Sequence, residues 1–342
     1  MKSDLPLVSI CVPTYNCAGT VRETLESILA QSYVNIRVHI SDNASTDETM
    51  SVIESVRDAR MIVHRHDENI GGEGNFNRCI NYAEGDYTAI YHADDIYEPQ
   101  MVAEQVAFLE ANASAAAVFT EATLIDEKGR KTGRIRFPGE LNAGGDLYDF
   151  QTVLKAVLKH SNFLICPSVM ARTRVYKEEI GCWRGGLFKS SADLDLWLRM
   201  LEKHNVGFLR CPLMSYRISS TQWSARVRKG TERADFFLVT EHYLARESVR
   251  ALLSPTDLKN YRWLERRDRV MQALNLFLIE ENQRVKPLLS DLVSLDAVEA
   301  GLKTKRGFFV LVVGLYMKMV LALGCARMGK MPLRMLKQVT GK

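Results

Sequence analysis

Short apolar runs alternate with helical stripes along the first 125 residues, and that alternation sets the reading of this chain. Leu7-Val-Ser-Ile-Cys-Val12 is a continuous apolar run ending at Pro13, the pattern of a strand buried on both faces. Thr20 to Gln31 follows, with Val21, Leu25, Ile28 and Leu29 at helical spacing. Ile36-Arg-Val-His-Ile40 predicts a second strand, and Ser41-Asp-Asn-Ala-Ser-Thr-Asp47 behind it is rich in turn and helix-capping side chains. The same reading predicts a helix over Thr46 to Val56, a strand over Arg60 to His64 and a helix from Gly71 and Gly72 to Ala83. A strand over Asp86 to Tyr91, a helix over Glu98 to Glu110 and a strand over Ala115 to Thr123 complete the series, with Glu127-Lys-Gly-Arg130 as a hairpin turn.

Strands separated by helices of this length form βαβ units. The expected fold class is therefore α/β, with a mainly parallel central sheet flanked by helices. Beyond residue 130 the periodicity weakens. Gly133 to Gly145 reads as a long surface loop, Phe150 to Lys159 as a helix and Phe163 to Met170 as a strand-like run. Asp193 to Lys203 predicts a helix whose apolar stripe is Leu194, Trp197, Leu198 and Leu201. From Thr231 the pattern is predominantly helical.

Composition changes this picture mainly at the C-terminal end. Of 342 residues, 46% are hydrophobic and 25% charged, the balance of a folded chain and not of a disordered one. Met1 to Pro6 is too short and polar, and Leu7 to Val12 too brief, for a secretory leader, so a cytoplasmic setting is expected. The seven cysteines are scattered without a CxxC spacing, which points to reduced thiols and away from a disulfide frame or zinc site. The net charge of +4 conceals an asymmetry: residues 301–342 hold nine Lys or Arg and no Asp or Glu, while the first 300 hold 36 basic against 41 acidic side chains. Such a tail calls for an anionic partner.

In parallel α/β sheets, ligands sit outside the carboxyl ends of the strands. That rule selects Pro13-Thr-Tyr-Asn16, Ser41-Asp42-Asn43 and His92-Ala-Asp-Asp95, each directly following a strand. Adjacent carboxylates such as Asp94 and Asp95 repel one another and are tolerated best around a cation or hydrogen-bond donors. Mg²⁺ or Mn²⁺ takes few carboxylates and completes its shell with phosphate oxygens and water. An Asp-Asp pair alone is more often a solvated turn; its place at a strand end, with Asp42 aimed at the same edge, favours the cation.

At these residues the chain resembles the inverting glycosyltransferases of family 2, which have the GT-A nucleotide-sugar-binding fold. The resemblance is carried by Val8-Ser-Ile-Cys-Val-Pro-Thr-Tyr-Asn16, Ile40-Ser-Asp-Asn-Ala-Ser-Thr-Asp47, Asn69-Ile-Gly-Gly72 with Asn75, and Ala93-Asp-Asp-Ile-Tyr-Glu-Pro99. It is specific over roughly the first 125 residues and continues more weakly through Ser191-Ala-Asp-Leu-Asp-Leu-Trp-Leu-Arg199 and Ser215-Tyr-Arg217. It implies inverting transfer of a sugar from a nucleoside-diphosphate donor to a saccharide or lipid-linked saccharide, in cell-surface polysaccharide biosynthesis. Pro13, Thr14 and Tyr15 would line the base pocket, and Asp42 would hydrogen-bond base or ribose. Asp94 would meet ribose or the metal shell, and Asp95 would ligate Mg²⁺ or Mn²⁺. Asn16, Asn43, Asn69, Gly72, Asn75 and Arg217 are assigned to substrate binding in the same way. Residues 1–228 would form the catalytic domain, with 1–125 as the nucleotide-sugar half and 126–228 as the acceptor half. Residues 229–342 would form a helical region.

An inverting transfer needs a base for the acceptor hydroxyl, and the resemblance points to Asp193. Helix geometry alone leaves Asp193 and Asp195 open, since each flanks the apolar stripe. Three positions depart from the family pattern: Ala192 where an acid is usual, Ser219 where many members carry a His, and His92 where many carry another acid. Arg217, Arg226 and Arg228 are candidates to neutralise diphosphate charge in place of that His. Ala192 and Ser219 also keep open a non-catalytic carbohydrate-binding or scaffold role. A sugar nucleotidyltransferase would need a Gly-rich basic first loop instead of Pro-Thr-Tyr-Asn, and Gly71-Gly-Glu-Gly74 lacks the spacing of a dinucleotide-binding loop.

Gly307 to Ala326 is an apolar run of twenty residues with one charge, Lys318, inside the basic segment 303–337. Its length just reaches a membrane span, but a central Lys is costly there. An interfacial helix drawn to anionic lipid at the inner face of the cell membrane is the favoured expectation, with a core or oligomer helix and a true span as alternatives. No nucleic-acid recognition motif accompanies the basic residues.

Overall fold

The apolar runs of the N-terminal third become four parallel strands: β1 (Val8–Thr14), β2 (Ile36–Asp42), β3 (Met61–Arg65) and β4 (Tyr87–Ile90). The structure, a computed structural model, describes residues 5–142, 145–219, 230–292, 294–302, 304–326 and 329–340. Helices α1 (Val21–Leu29), α2 (Thr49–Ser55) and α3 (Gly71–Tyr82) supply the crossovers. Val8, Ile10, Val12, Val38 and Ile40 are fully buried, and Leu25 and Ile28 of α1 pack into the same core. Gly85 turns the chain into β4 at φ +80°, where an added Cβ would lie 2.7 Å from the Leu7 carbonyl oxygen.

Beyond β4 the sheet is mixed. β5 (Ile96–Tyr97), α4 (Met101–Ala111), β6 (Ala115–Ile125), β7 (Lys131–Ile135), β8 (Leu147–Tyr148), α5 (Phe150–His160), β9 (Met170–Arg172), α6 (Gly185–Phe188), α7 (Ala192–Leu201) and β10 (Asn205–Arg217) follow in order. The spatial order is β3-β2-β1-β4-β9-β6-β10-β5, with β7 on β6 and β8 on β10. β9 runs antiparallel between β4 and β6, while β10 lies parallel to β6. The parallel pattern thus describes β1 to β4, where helical crossovers intervene. A tight turn closed by the Asp126 amide on the Arg130 carbonyl (3.0 Å) makes β7 antiparallel instead.

Local chemistry moves two expected boundaries and adds one strand. Part of the loop expected over Gly133 to Gly145 is the strand β7. Phe163 to Met170 is not a strand throughout, because Pro167 opens a 3-10 turn over Cys166–Ser168 and the Ser168 hydroxyl donates to the Ile165 carbonyl (2.8 Å). β10 went unread because Gly207 and Pro212 interrupt its alternation; its pairing with β6 shifts register around Pro212.

The chain forms two compact units, Met1–Ala156 with Asn162–Ser219 and Val157–Ser161 with Ser220–Lys342. The second contains α8 (Phe236–Leu244), α9 (Glu247–Arg250), α10 (Pro255–Leu278), α11 (Asn282–Leu288), α12 (Leu295–Leu302), α13 (Lys305–Ala322) and α14 (Lys330–Thr340). Ser254 and Asp257 form a reciprocal capping box that starts α10. The apolar run expected to lie at a membrane is α13. One face of it, Val310, Leu311, Val313, Met317 and Val320, packs into the core with Val270, Leu274, Phe277 and Leu292. Among the described residues, no helix is long and apolar enough to cross a membrane.

Asn75 of α3 clamps the carboxyl ends of the first strands: its amide donates to the Ser41 carbonyl (2.8 Å) and accepts from the Ser41 hydroxyl (2.7 Å). The side chain is buried, so Asn75→Ala leaves polar groups without partners and should cost about 1–3 kcal/mol. A urea-unfolding midpoint unchanged from the wild type would refute that role.

Candidate active site

Pairing of Thr14 with Asp42 and of Cys11 with Ile90 brings the loops after β1, β2 and β4 to one edge of the sheet. Of the expected base-pocket residues, Tyr15 presents an exposed ring (48%), Pro13 is half-buried and Thr14 is buried. Asn16 adopts φ 47°, a left-handed conformation Asn tolerates, and its side-chain oxygen accepts from the Thr46 amide (2.8 Å). That bond ties the first loop to the second. Asp42 closes its own turn, accepting from the Ser45 amide (3.0 Å), the Ser45 hydroxyl (2.5 Å) and the Thr14 hydroxyl (3.3 Å).

Buried Asn43 reaches across to the start of α3. Its amide donates to Asn69 Oδ1 (2.8 Å) and the Gly71 carbonyl (3.1 Å), while its oxygen accepts from the Ile70 amide and Arg78 (both 3.1 Å). Asn69 and Gly72 are exposed at this rim, and an added Cβ on Gly72 would meet no atom within 4 Å. Asn43 and Asn75 therefore hold the loops together, with the Asn69 side-chain oxygen also accepting from the Gly71 amide (2.8 Å), while Tyr15 and Gly72 are exposed at the rim.

The turn after β4 rests on two stacked tyrosines, Tyr91 and Tyr97, with ring centres 3.9 Å apart. Tyr97 Oη accepts from the His92 amide (2.7 Å), and the Thr24 hydroxyl donates to the Asp95 carbonyl (2.8 Å). Asp95 is fully buried; its Oδ1 accepts from the Arg217 amide (2.8 Å), and among the described residues its Oδ2 has no hydrogen-bond partner. Burial and the neighbouring Asp94 carboxylate hold the Asp95 pKa well above the usual range, while burial pushes His92 down. Ligand atoms of His92, Asp94 and Asp95 lie within 4.8 Å of one another, and His92 Nε2 is likewise buried without a partner. The unpartnered Asp95 Oδ2, with His92 Nδ1 4.0 Å away and the Asp94 carboxylate close by, fits a divalent cation, which would favour the ionised Asp95.

Arg217 holds this turn from below. Its Nε donates to the Asp94 carbonyl (2.8 Å), and the guanidinium also pairs with Glu23 of α1 (2.6 Å) and approaches the Asp126 and Glu127 carbonyls (3.3 and 3.4 Å). Its expected part in neutralising diphosphate thus gives way, in these contacts, to fixing the acidic turn. Ser219, two residues on, is half-buried; Arg226 and Arg228 lie outside the described residues.

Contacts also separate the two acids that the helix pattern left open. Asp195 is fully buried and paired with Arg184 (Nε–Oδ2 2.9 Å) and Arg199 (3.0 Å), so it anchors the segment before α7. Asp193 accepts from Asn162 Nδ2 (3.3 Å) and from the Leu194 amide (2.7 Å). Burial pushes its pKa up to about 6, against the pull of those two donors. Burial, then the charges of Asp193 and Asp95, push the Cys166 thiol up. His92 joins the same region through Phe76, which meets the His92 ring edge-on (5.6 Å) and stacks on Trp183 (4.5 Å). Phe76, Trp183 and Cys166 carried no signal in the sequence, since nothing in their local pattern distinguishes them from core residues.

An acidic turn at the carboxyl edge of such a sheet, with a raised-pKa carboxylate beyond it, is the arrangement of a nucleotide-sugar-dependent glycosyltransferase. Residues 9–180 match the model of Glycosyl transferase family 2, and the chain belongs to that family. It is 30% identical over 200 residues to the Escherichia coli UDP-Glc:alpha-D-GlcNAc-diphosphoundecaprenol beta-1,3-glucosyltransferase WfaP, covering 58% of this chain and 72% of that protein. Staphylococcus aureus TarS 1–349 in complex with UDP-GlcNAc has a similar fold (TM-score 0.58, 16% identity, 93% and 92% of the two chains). So does the mannosyltransferase PcManGT of Pyrobaculum calidifontis, in complex with GDP-Man and Mn²⁺ (TM-score 0.53, 18% identity, 96% and 88%).

If Asp195 is structural and Asp193 is not, Asp195→Asn should cost roughly 2–3 kcal/mol, less than a wholly buried pair because Arg184 keeps a solvent-facing edge. Asp193→Asn should keep or raise stability at neutral pH. Its raised folded-state pKa means that the ionised form costs stability above that pKa, and Asn removes the cost. Urea unfolding of the two variants checks the contrast, and equal losses would overturn it.

Proposed function

We propose that this glycosyltransferase moves a hexose-type sugar from a nucleoside diphosphate to a saccharide or lipid-linked saccharide, with inversion, in the building of a cell-surface polysaccharide. The observation carrying this reading is the cluster of His92, Asp94 and buried Asp95 at the carboxyl edge of the sheet, in a chain that also holds Asp193, a carboxylate raised by burial. WfaP, by its name, uses UDP-glucose and a diphosphoundecaprenol-linked acceptor, which supports a lipid-linked acceptor here. Residues 1–228 would be the catalytic domain, its first 125 residues serving the donor and 126–228 the acceptor. Residues 229–342 would attach it peripherally to the inner face of the membrane.

In this reading the Tyr15 ring offers a face to the base, while Asp42 and Asn43 hold the loops beneath base and ribose. His92, Asp94 and Asp95 would hold Mg²⁺ or Mn²⁺, with Asp94 also near ribose. The ion, when bound, offsets the charge that develops on the departing nucleoside diphosphate. Asn162 and the Leu194 amide orient the Asp193 carboxylate. A pKa of about 6 leaves it ionised at neutral pH and basic enough to take the acceptor's hydroxyl proton. Asn16, Asn69 and Gly72 complete the rim, and Asn75 and Arg217 act through the backbones they clamp.

A panel of nucleotide sugars, scored by nucleoside diphosphate release with lipid-linked acceptors present, tests the reading. Asp193→Asn should lower kcat roughly 10²–10⁴-fold while donor affinity holds. The wild-type kcat/KM should fall below about pH 6, where Asp193 takes up a proton, and that acid limb should vanish in the variant. Asp95→Asn should abolish Mn²⁺ binding measured by calorimetry. Release from no donor, with sugar binding retained, would make the chain a carbohydrate-binding member of its family.

A further inference from the structure

The face of α13 turned away from its core is apolar. Phe308 (55% exposed), Val312 (47%), Leu315 (42%) and Met319 (53%) lie on it, with Leu323 (68%) at the C-terminal cap. Spaced by four, three, four and four residues, these side chains fall in one stripe about 80° wide at 100° per residue. The opposite face is held by the core through Val310, Val313 and Met317, so the helix is fixed with its apolar stripe in solvent. Single exposed apolar side chains are ordinary; five in register along one helix are not.

Charge selects the occupant. The stripe lies in a segment, 301–342, with nine Lys or Arg and no Asp or Glu, and exposed Lys305 and Arg306 stand at its N-terminal end. Arg267 of α10 is half-buried, and burial together with the charge of Arg306 pushes its pKa down to about 10. A second copy fits poorly. A two-fold seam would set each stripe against itself, with basic residues from both copies and no acid from either segment. A lipid surface supplies acyl chains for the stripe and phosphates for the arginines.

We infer that the stripe Phe308, Val312, Leu315, Met319 and Leu323 is the lipid-inserting face of a peripheral membrane anchor, with Lys305 and Arg306 seated among anionic headgroups. This deepens the attachment proposed above by giving it a surface, a narrow stripe along one helix. It holds or fails independently of the transfer reaction, because vesicle binding requires no donor.

The test is sedimentation of the full chain with phosphatidylcholine vesicles, with and without phosphatidylglycerol. The wild type should bind the anionic vesicles, and less so as salt rises. The exposed-face variant Phe308→Ser/Leu315→Ser/Met319→Ser should bind roughly tenfold less or weaker still, with urea unfolding unchanged. Arg306→Glu should bind less with the stripe intact. Equal binding of wild type and triple variant, wild-type binding to neither vesicle, or a lipid-free dimer that the triple variant dissociates would each overturn the inference. Nucleoside diphosphate release from the triple variant in detergent reports separately on the active site.

Discussion

The active-site edge depends on one buried carboxylate. Asp95 lies wholly inside the protein, and its position is set by the amide of Arg217, whose side chain in turn binds the Asp94 carbonyl, Glu23 and the turn after β6. Four separate stretches of chain meet at that arginine. A buried carboxylate beside a second one is costly unless something compensates it. The backbone amide meets only one of its oxygens. The fold therefore carries a cost at this place that a proton or a bound cation offsets.

Much of the first unit was legible from its pattern. β1 to β4 and their helices follow from apolar runs and 3.6-residue stripes, because local burial and local periodicity coincide there. Later elements were less so. β10 pairs with strands distant in sequence, and its Gly207 and Pro212 break the alternation that would mark it. The choice between Asp193 and Asp195 could not be made from helix geometry, because what separates them is Arg184, eleven residues upstream on an irregular segment. His92 read as a missing acid, whereas in space its ring lies beside the acidic pair, with its Nδ1 4.0 Å from Asp95. The sequence marks Arg217 as a candidate phosphate partner, and its contacts with the Asp94 carbonyl and Glu23 are not legible there.

Length and hydropathy left the role of α13 open because both treat a helix as uniform around its axis. Its mean hydropathy cannot distinguish a span from a helix whose two faces serve different apolar surroundings. Gly314 marks the packed side: an added Cβ would lie 2.2 Å from Leu292 Cδ2, so the backbone there approaches its neighbour closely. Once one side is committed to protein, what remains is a strip too narrow to line a bilayer and too apolar to be indifferent to one.

The bond from Arg217 to Asp95 joins residues 122 positions apart. All the motif residues of the nucleotide edge emerge from the ribosome long before β10 does. Until β10 docks beside β6, the acidic turn lacks its backbone donor and its clamp to α1, so the N-terminal half is a sheet with an unfinished mouth. Long-range pairing of this kind closes late and slowly. The nascent chain therefore carries the recognisable sequence of a donor site well before it has the means to hold a donor.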